Sequence, residues 1–264
     1  MHVHRSEPAP ERFELAPPLP PRPIQWRRAQ RLVRELIADP DATNKAFELV
    51  DAMGGRGDEQ TVQLFASHPG SRRLLTEKPS LLNALASRDR MQALPDGSFG
   101  HAYLAFARRN GFSVDGLLEA CDRGLGALNA QLDPERRWFF QRLNLMHDLW
   151  HVLTGYDTDP AGETALLGFS IGQGLANRSV RLLYFVSMAL APKRERFGFQ
   201  RSVLQARRRG QRAGPLFAQR YEELLPRPLE AVRRELGIEP MRSAHPDGIF
   251  RAELNPRNVV RVAA

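Results

Sequence analysis

At 264 residues the chain is long enough for one large domain or two small ones with a substantial buried core. A single cysteine, Cys121, excludes an internal disulfide and a thiolate metal cluster, and it points to a reducing compartment. The net charge of +8 is carried by arginine, because Lys45, Lys78 and Lys193 are the only lysines. That skew fits either a GC-rich bacterial genome or a basic surface facing anionic lipid, nucleic acid or an acidic partner. With no zinc finger and no aromatic RNA-binding motif, nucleic acid is not expected and a membrane surface is favoured.

Residues 1–23, with the proline run Pro17–Pro23, read as a disordered N-terminal arm. Glu7, Glu11 and Glu14 and the lack of an apolar run argue against a signal peptide and a mitochondrial presequence. A first amphipathic helix is predicted from about Pro23 to Ala38, with Trp26, Ala29, Leu32, Val33, Leu36 and Ile37 facing inward. A second starts at a cap on Asp41 or Thr43, turns Ala46, Phe47, Val50 and Met53 inward, and closes at Gly54-Gly55. A third runs from near Asp58 to His68-Pro69-Gly70, and one or two short helices follow within Leu74–Ser87, with Pro79 in a first turn.

Leu94-Pro95-Asp96-Gly97-Ser98 reads as a turn, Phe99–Arg109 as a helix ended by Asn110-Gly111, and 114–130 as a further helix. Asp133 then caps a long helix with Pro134 in its first turn, and Trp138, Phe139, Leu143, Met146, Trp150 and Val152 make it apolar nearly all round. After Gly155 and the Asp157–Pro160 turn, one more helix is expected over roughly 160–191. Its most apolar stretch, Leu182–Ala191, is far short of the ~20 residues that span a bilayer. A basic segment, Arg194 to Arg212, precedes helices near 215–224 and 228–236, the last capped by Gly237. No alternating run is long enough for a strand. The expected architecture is therefore all-α: a single-domain helical bundle over 24–238, a central antiparallel helix hairpin carrying a metal site, and a C-terminal tail at 239–264.

That site is His147-Asp148-Leu149-Trp150-His151, followed after eleven residues by Glu163. Residues on a helix advance by about 100°, so His147 and His151 share one face, with Asp148 beside His151. His151 stands four residues before Gly155, and Glu163 four after Asp159. At roughly 6 Å from the turn they lie level across a hairpin, and Gly162 removes a side chain beside Glu163. Asp148 either reaches the ion or orients an imidazole. Two nitrogens and up to two carboxylates suit zinc, iron or manganese, and the sequence does not choose among them. Zinc proteases of the His-Glu-x-x-His type carry a glutamate as general base where this chain has Asp148. His-Asp phosphohydrolases need further ligands that only His101 with Asp115 or Asp122 could supply.

The pattern His-Asp-x-x-His-x11-Glu resembles, at identical spacing, the metal motif of the coenzyme Q biosynthesis protein 4 family of the ubiquinone pathway. Leu94–Gly100 with Tyr103 resembles that family's "LPxGTLGxxY" segment, Thr154-Gly155 to Gly162-Glu163 its hairpin turn, and Tyr221-Glu222-Glu223 with Leu229–Ile238 its C-terminal helix. The likeness covers roughly 90–238. It departs just before the motif, where the family often has an Arg-Glu pair and this chain has Asn144-Leu145.

The resemblance implies a bacterial-type, all-α enzyme of ubiquinone biosynthesis. It would remove the ring carboxyl at carbon 1 of a polyprenylated 4-hydroxybenzoate-type precursor and install a hydroxyl there, an oxidative decarboxylation and hydroxylation. His147, Asp148, His151 and Glu163 carry over as metal ligands and site residues. Zn2+ is expected first, with Fe2+ or Mn2+ as alternatives; zinc supplies no electrons, so oxygen would then react with the substrate directly. Leu166, Leu167, Phe169, Ile171, Leu175, Leu182, Leu183, Phe185 and Met188 offer an apolar surface for the polyprenyl tail, with Gly168, Gly172 and Gly174 leaving room for a tail or for close helix packing. Arg178, Arg181, Arg194, Arg196, Arg201 and Arg207–Arg209 would meet lipid headgroups at the inner face of the cytoplasmic membrane. Other enzymes of the pathway are candidate partners, and a homodimer is admitted. The alternative function is a lipid-binding scaffold that organises those enzymes around a structural metal.

Overall fold

Asp133 and Asp159 begin the two helices on which the rest of the molecule is hung. The structure is a computed structural model describing residues 15–18, 20–39, 42–54, 57–111, 113, 116, 119, 130–175, 177–190 and 196–246, apart from the side chains of 43, 57, 58, 178, 179 and 190. The described residues are all-α, with no strand among them. In chain order the helices are α1 (Trp26–Ala38), α2 (Thr43–Met53), α3 (Gly57–Ser67), α4 (Pro69–Glu77), α5 (Leu81–Ala86), α6 (Arg88–Gln92) and α7 (Phe99–Asn110), then α8 (Pro134–Thr154), α9 (Pro160–Gly172), α10 (Arg178–Leu190) and α11 (Arg196–Arg212). A 3-10 turn at Leu216–Ala218 leads to α12 (Tyr221–Leu224), α13 (Leu229–Glu235) and α14 (Met241–Ala244).

Short side chains end the helices as their sequence suggests. Asp133 accepts from the Arg136 amide, Ser98 from His101, Ser80 from Asn83, and Asp159 from both Ala161 and Gly162. Gly111 and Gly155 close α7 and α8 in the left-handed region, at φ 67° and 77°. The main core surrounds α8, whose Phe139, Leu145, Met146, Leu149 and Leu153 are buried with residues of α3 to α7, α9 and the C-terminal helices. The start of α7 is tied to the C-terminal region by Phe99 N–H to the Arg227 carbonyl and Gly100 N–H to the Leu225 carbonyl. That contact places the Leu94–Tyr103 segment against Tyr221–Leu229.

A smaller core joins α1 and α2, with Ala29, Leu32, Leu49, Ala52 and Met53 buried and Leu182 and Leu183 of α10 packed on it. Arg22 and Arg28 both donate to Asp51 at 2.6 Å, and Gln25 N–H reaches the Ala52 carbonyl. In the stretch expected as an arm, Arg22 is thus tied down and Leu15 packs on the main core.

Several expectations change. α1 begins at Trp26 rather than Pro23, and Trp26 and Ile37 are 59% and 50% exposed rather than inward. In α2 the inward face is Leu49, Ala52 and Met53, while Ala46, Phe47 and Val50 are only partly covered; Ala42 holds the cap position without a side-chain bond. Pro79 lies just outside α5, where its carbonyl accepts from the Trp138 indole. The helix expected over 114–130, with Cys121, falls mostly outside the described residues.

The largest change is a break in the expected helix over 160–191. α9 stops at Gly172, and Gly174 takes φ 85° so that Leu175 N–H reaches the Ser170 carbonyl. Gln173 ties the end of α9 to α11, donating to the Gly210 carbonyl and accepting from Leu216 N–H. α9 lies mainly along α11 and meets α8 over a shorter contact. Gly168, Gly172 and Gly210 allow that approach: a methyl group at 168 would stand 2.9 Å from the Val203 carbonyl, and one at 172 or 210 would collide with facing backbone. The glycines therefore serve close helix packing.

Candidate metal centre

The C-terminal end of α8 is held by three distant arginine contacts. Arg233 donates to the Val152 and Leu153 carbonyls at 2.7 and 2.9 Å, and Arg209 to the Thr154 carbonyl at 2.6 Å. Guanidinium charge at these unpaired carbonyls suits the negative end of a helix. Facing it, the first turn of α9 folds back over the connecting turn. A Cβ on Gly162 would strike the backbone of Asp157, so this glycine makes room for the turn rather than for α8.

Within that frame His147, His151 and Glu163 come together. His151 Nε2 lies 3.2 Å from Glu163 Oε1 and 3.2 Å from His147 Nε2, and His147 Nε2 lies 3.4 Å from Glu163 Oε2. The three residues offer ligand atoms that all lie within 4.8 Å of one another. The His151 side chain is 1% exposed, while those of His147 and Glu163 are 41% and 39% exposed. Counting from the turn thus places Glu163 level with both imidazoles.

The other nitrogen of His151 defines its tautomer. Nδ1 is 3.1 Å from the Tyr156 carbonyl, which only accepts, so Nδ1 carries hydrogen and Nε2 is turned to the shared space. Phe106 of α7 stacks on the imidazole, with ring centroids 5.5 Å apart and planes 20° from parallel. Burial opposes charge on both His151 and Glu163, yet each overcomes it through the other. The Glu163 carboxylate raises the His151 pKa, and the His151 and His147 rings hold the Glu163 carboxyl well below the usual range. Two imidazole nitrogens and a carboxylate oxygen converging on one point form a donor set that fits a divalent cation.

Asp148 is placed differently. It is buried in α8 and presents no oxygen within that group of three. Burial raises its pKa, His147 and His151 lower it, and Glu163 raises it. Its charge is also felt at Tyr103 of α7, whose phenol is raised by burial first and by Asp148 second. Leu145, in the position where the resembled family often carries a charged residue, is buried in the main core.

Spacing around the motif does not reveal Phe106, Tyr156, Arg209 or Arg233. Tyr156 and Arg233 fall inside segments that resemble the family, yet nothing local marks their targets. The apolar residues expected to meet a tail are distributed: Leu166, Phe169 and Leu175 are in the main core, Leu182 and Leu183 meet the α1–α2 core, Ile171 and Met188 pack beside Tyr184 and Phe199, and Phe185 is 66% exposed. Arg181, Arg201, Arg207 and Arg208 are exposed, whereas Arg209 is buried on α8 and cannot face headgroups. Arg194 and the Arg178 side chain lie outside the described residues.

Residues 39–242 match the family model described as coenzyme Q (ubiquinone) biosynthesis protein Coq4. The chain is 31% identical over 173 residues to ubiquinone biosynthesis protein coq4, mitochondrial, of Botryotinia fuckeliana, covering 66% of this chain and 59% of that protein. It is 29% identical over 171 residues to the mitochondrial COQ4 homolog of Aedes aegypti, covering 64% and 58%. The chain thus spans about three fifths of the length of the curated relatives it matches. A crystal structure from Nostoc punctiforme PCC 73102, of a protein named for ubiquinone biosynthesis, shares the fold with a TM-score of 0.60 at 19% identity, over 83% of this chain and 100% of that one.

Proposed function

This chain belongs to the coenzyme Q (ubiquinone) biosynthesis protein Coq4 family, and from that premise we propose that it serves ubiquinone biosynthesis as a metal-dependent enzyme. Its substrate is a polyprenylated 4-hydroxybenzoate-type ring. The ring carboxyl leaves as carbon dioxide and a hydroxyl takes its place at carbon 1; this two-electron oxidation balances with dioxygen as oxidant, reduced to hydrogen peroxide, and one water supplying the remaining oxygen and hydrogens. The observation that carries this reading is the convergence of His147, His151 and Glu163 within 4.8 Å.

These three residues would hold the cation, zinc first and iron or manganese as alternatives, and the cation would supply positive charge for the substrate carboxylate. The protein's own part is positional. Tyr156 fixes the His151 ring, Phe106 covers its face, and buried Asp148 acts on the two imidazoles through its charge without joining the donor group.

On this reading the protein works at a membrane surface. Among the described residues no helix is long and apolar enough to cross one. Support comes from α10 and α11, whose sequences hold no acidic residue. On α10, Arg181, Phe185 and Ala189 are exposed at intervals of four; on α11, Phe197, Arg201, Leu204 and Arg208 are exposed at intervals of four, three and four. One stripe on each helix thus mixes aromatic or aliphatic groups with arginines, a pattern suited to an anionic lipid interface. The same stripes favour a second reading, a lipid-binding scaffold for the other pathway enzymes with a structural metal.

His151→Ala, in cells that lack the native gene, separates the two. Loss of both bound metal and quinone, with a carboxylated prenyl ring accumulating, supports the enzyme; loss of metal with quinone still made defeats it.

A further inference from the structure

The carbonyl that fixes His151 belongs to Tyr156, and the Tyr156 side chain is in turn gripped by residues 205 to 245. Its ring is 1% exposed and its hydroxyl lies 2.8 Å from His245 Nε2. His245 is 3% exposed, and its Nδ1 lies 3.1 Å from Gln205 Oε1. The Gln205 oxygen only accepts, so Nδ1 carries hydrogen and Nε2 accepts from the Tyr156 hydroxyl. Arg209 stands over the opposite part of the assembly, 5.3 Å from the Tyr156 ring centre, donating to the carbonyls of Thr154 and Glu239. Met241 fills the space beside Gly155, where a methyl group would come within 3.5 Å of its Cγ.

We infer that Glu239–His245 is a strap that aims His151, and that His245 is a positioning residue for the donor group. The inference rests on the reading of His147, His151 and Glu163 as holders of a divalent cation. His245 never touches that group. It acts through Tyr156: the phenol–imidazole bond fixes the ring, the ring and Arg209 fix the turn, and the turn presents the carbonyl to His151 Nδ1. An imidazole whose Nδ1–H loses its acceptor, or finds it displaced, rotates about its own axis and carries Nε2 away from Glu163. Outer partners of a ligating histidine typically change metal affinity by ~10–100-fold. The strap's last residues, with His245 among them, lie beyond the 39–242 stretch that matches the family model, and its first, from Glu239, lie within it.

The test measures Zn2+ affinity by competition with a chromophoric chelator, and the visible spectrum of the Co2+-loaded protein, alongside thermal unfolding. Wild type is compared with His245→Phe, which keeps a ring but accepts nothing, His245→Gln, which restores an acceptor, and Tyr156→Phe, which removes only the hydroxyl. Expected are about tenfold weaker Zn2+ binding and an altered Co2+ spectrum in His245→Phe and Tyr156→Phe, with recovery in His245→Gln. Should His245→Phe fail to fold, Tyr156→Phe and His245→Gln decide the matter. Wild-type affinity and spectrum in Tyr156→Phe, whatever its melting temperature, overturn the strap while leaving the metal centre standing. Absence of Zn2+ and Co2+ uptake by the wild type overturns the centre itself, and the strap with it.

Discussion

Gly210 of α11 rests on the backbone of Phe169 in α9, so close that a methyl group there would collide with the Phe169 carbonyl. Because α9 carries Glu163, this contact sets where one wall of the donor group stands. Gly210→Ala is expected to force the helices apart at a cost of about 3 kcal/mol. In a chain of this size that lowers the melting temperature by roughly 6–12 °C. Thermal unfolding followed by circular dichroism measures it, and Zn2+ uptake should weaken in the same variant. Unchanged stability would show that α11 yields easily and positions nothing.

The Arg142–Glu222 pair bridges α8 and α12 inside the protein, with Nη1 2.6 Å and Nη2 3.0 Å from the carboxylate oxygens and the arginine side chain 1% exposed. Removing one partner strands a buried charge, which costs ~3–5 kcal/mol. Glu222→Leu should therefore be strongly destabilised, and adding Arg142→Met should restore much of the loss. Denaturant titration of the single and double variants checks this. A neutral Glu222→Leu would mean that Arg142 finds water.

His245 makes stability depend on pH. Burial, with the nearby Arg209 charge second, pushes its pKa down from 6.5 to about 4. The folded state keeps it neutral while the unfolded chain takes a proton below pH 6.5. Its contribution is thus complete above that value and is lost as pH falls through about 4. The loss across the window is on the order of 3 kcal/mol. Stability measured from pH 7 to 4 should fall less steeply in His245→Phe than in wild type; parallel curves would refute the assignment.

Phe185 and Phe197, 66% and 80% exposed, are the aromatic members of the two stripes. Replacing both with serine should reduce flotation with phosphatidylglycerol vesicles by about tenfold or more, since one buried Phe side chain contributes ~1.5–3 kcal/mol. Zn2+ uptake should not change. Charge-neutralising Arg201 and Arg208 should instead flatten the salt dependence. Equal flotation of all variants would place the lipid contact elsewhere.

The donor group was legible because its information is local. His147 and His151 are four apart on one helix, and Glu163 follows from counting outward from a turn marked by Gly155, Asp159 and Pro160. The helix caps at Asp133 and Asp159 are equally local in origin. The break after Gly172 was not, because Leu175 and the residues after Asn177 resume an apolar pattern that periodicity alone joins to what precedes. Nor were the groups that hold the site. Arg209 and Arg233 reach carbonyls of α8 across 55 and 80 residues or more, and an arginine's sequence neighbours do not show where its guanidinium ends. Basic charge in Arg207–Arg209 looked uniform, yet folding divides it between solvent and interior.

The unequal exposure of the three donors fixes a direction of travel. His151 is sealed by Phe106 on one face and by the Tyr156 turn behind it, leaving His147 and Glu163 as the lip. On the proposed reading, a molecule coming to a cation held there would arrive head first past those two side chains, its polar end leading and any long hydrocarbon trailing outside. Length of that trailing part would then be no obstacle to the chemistry, and chains of different length could present the same head to the same three residues.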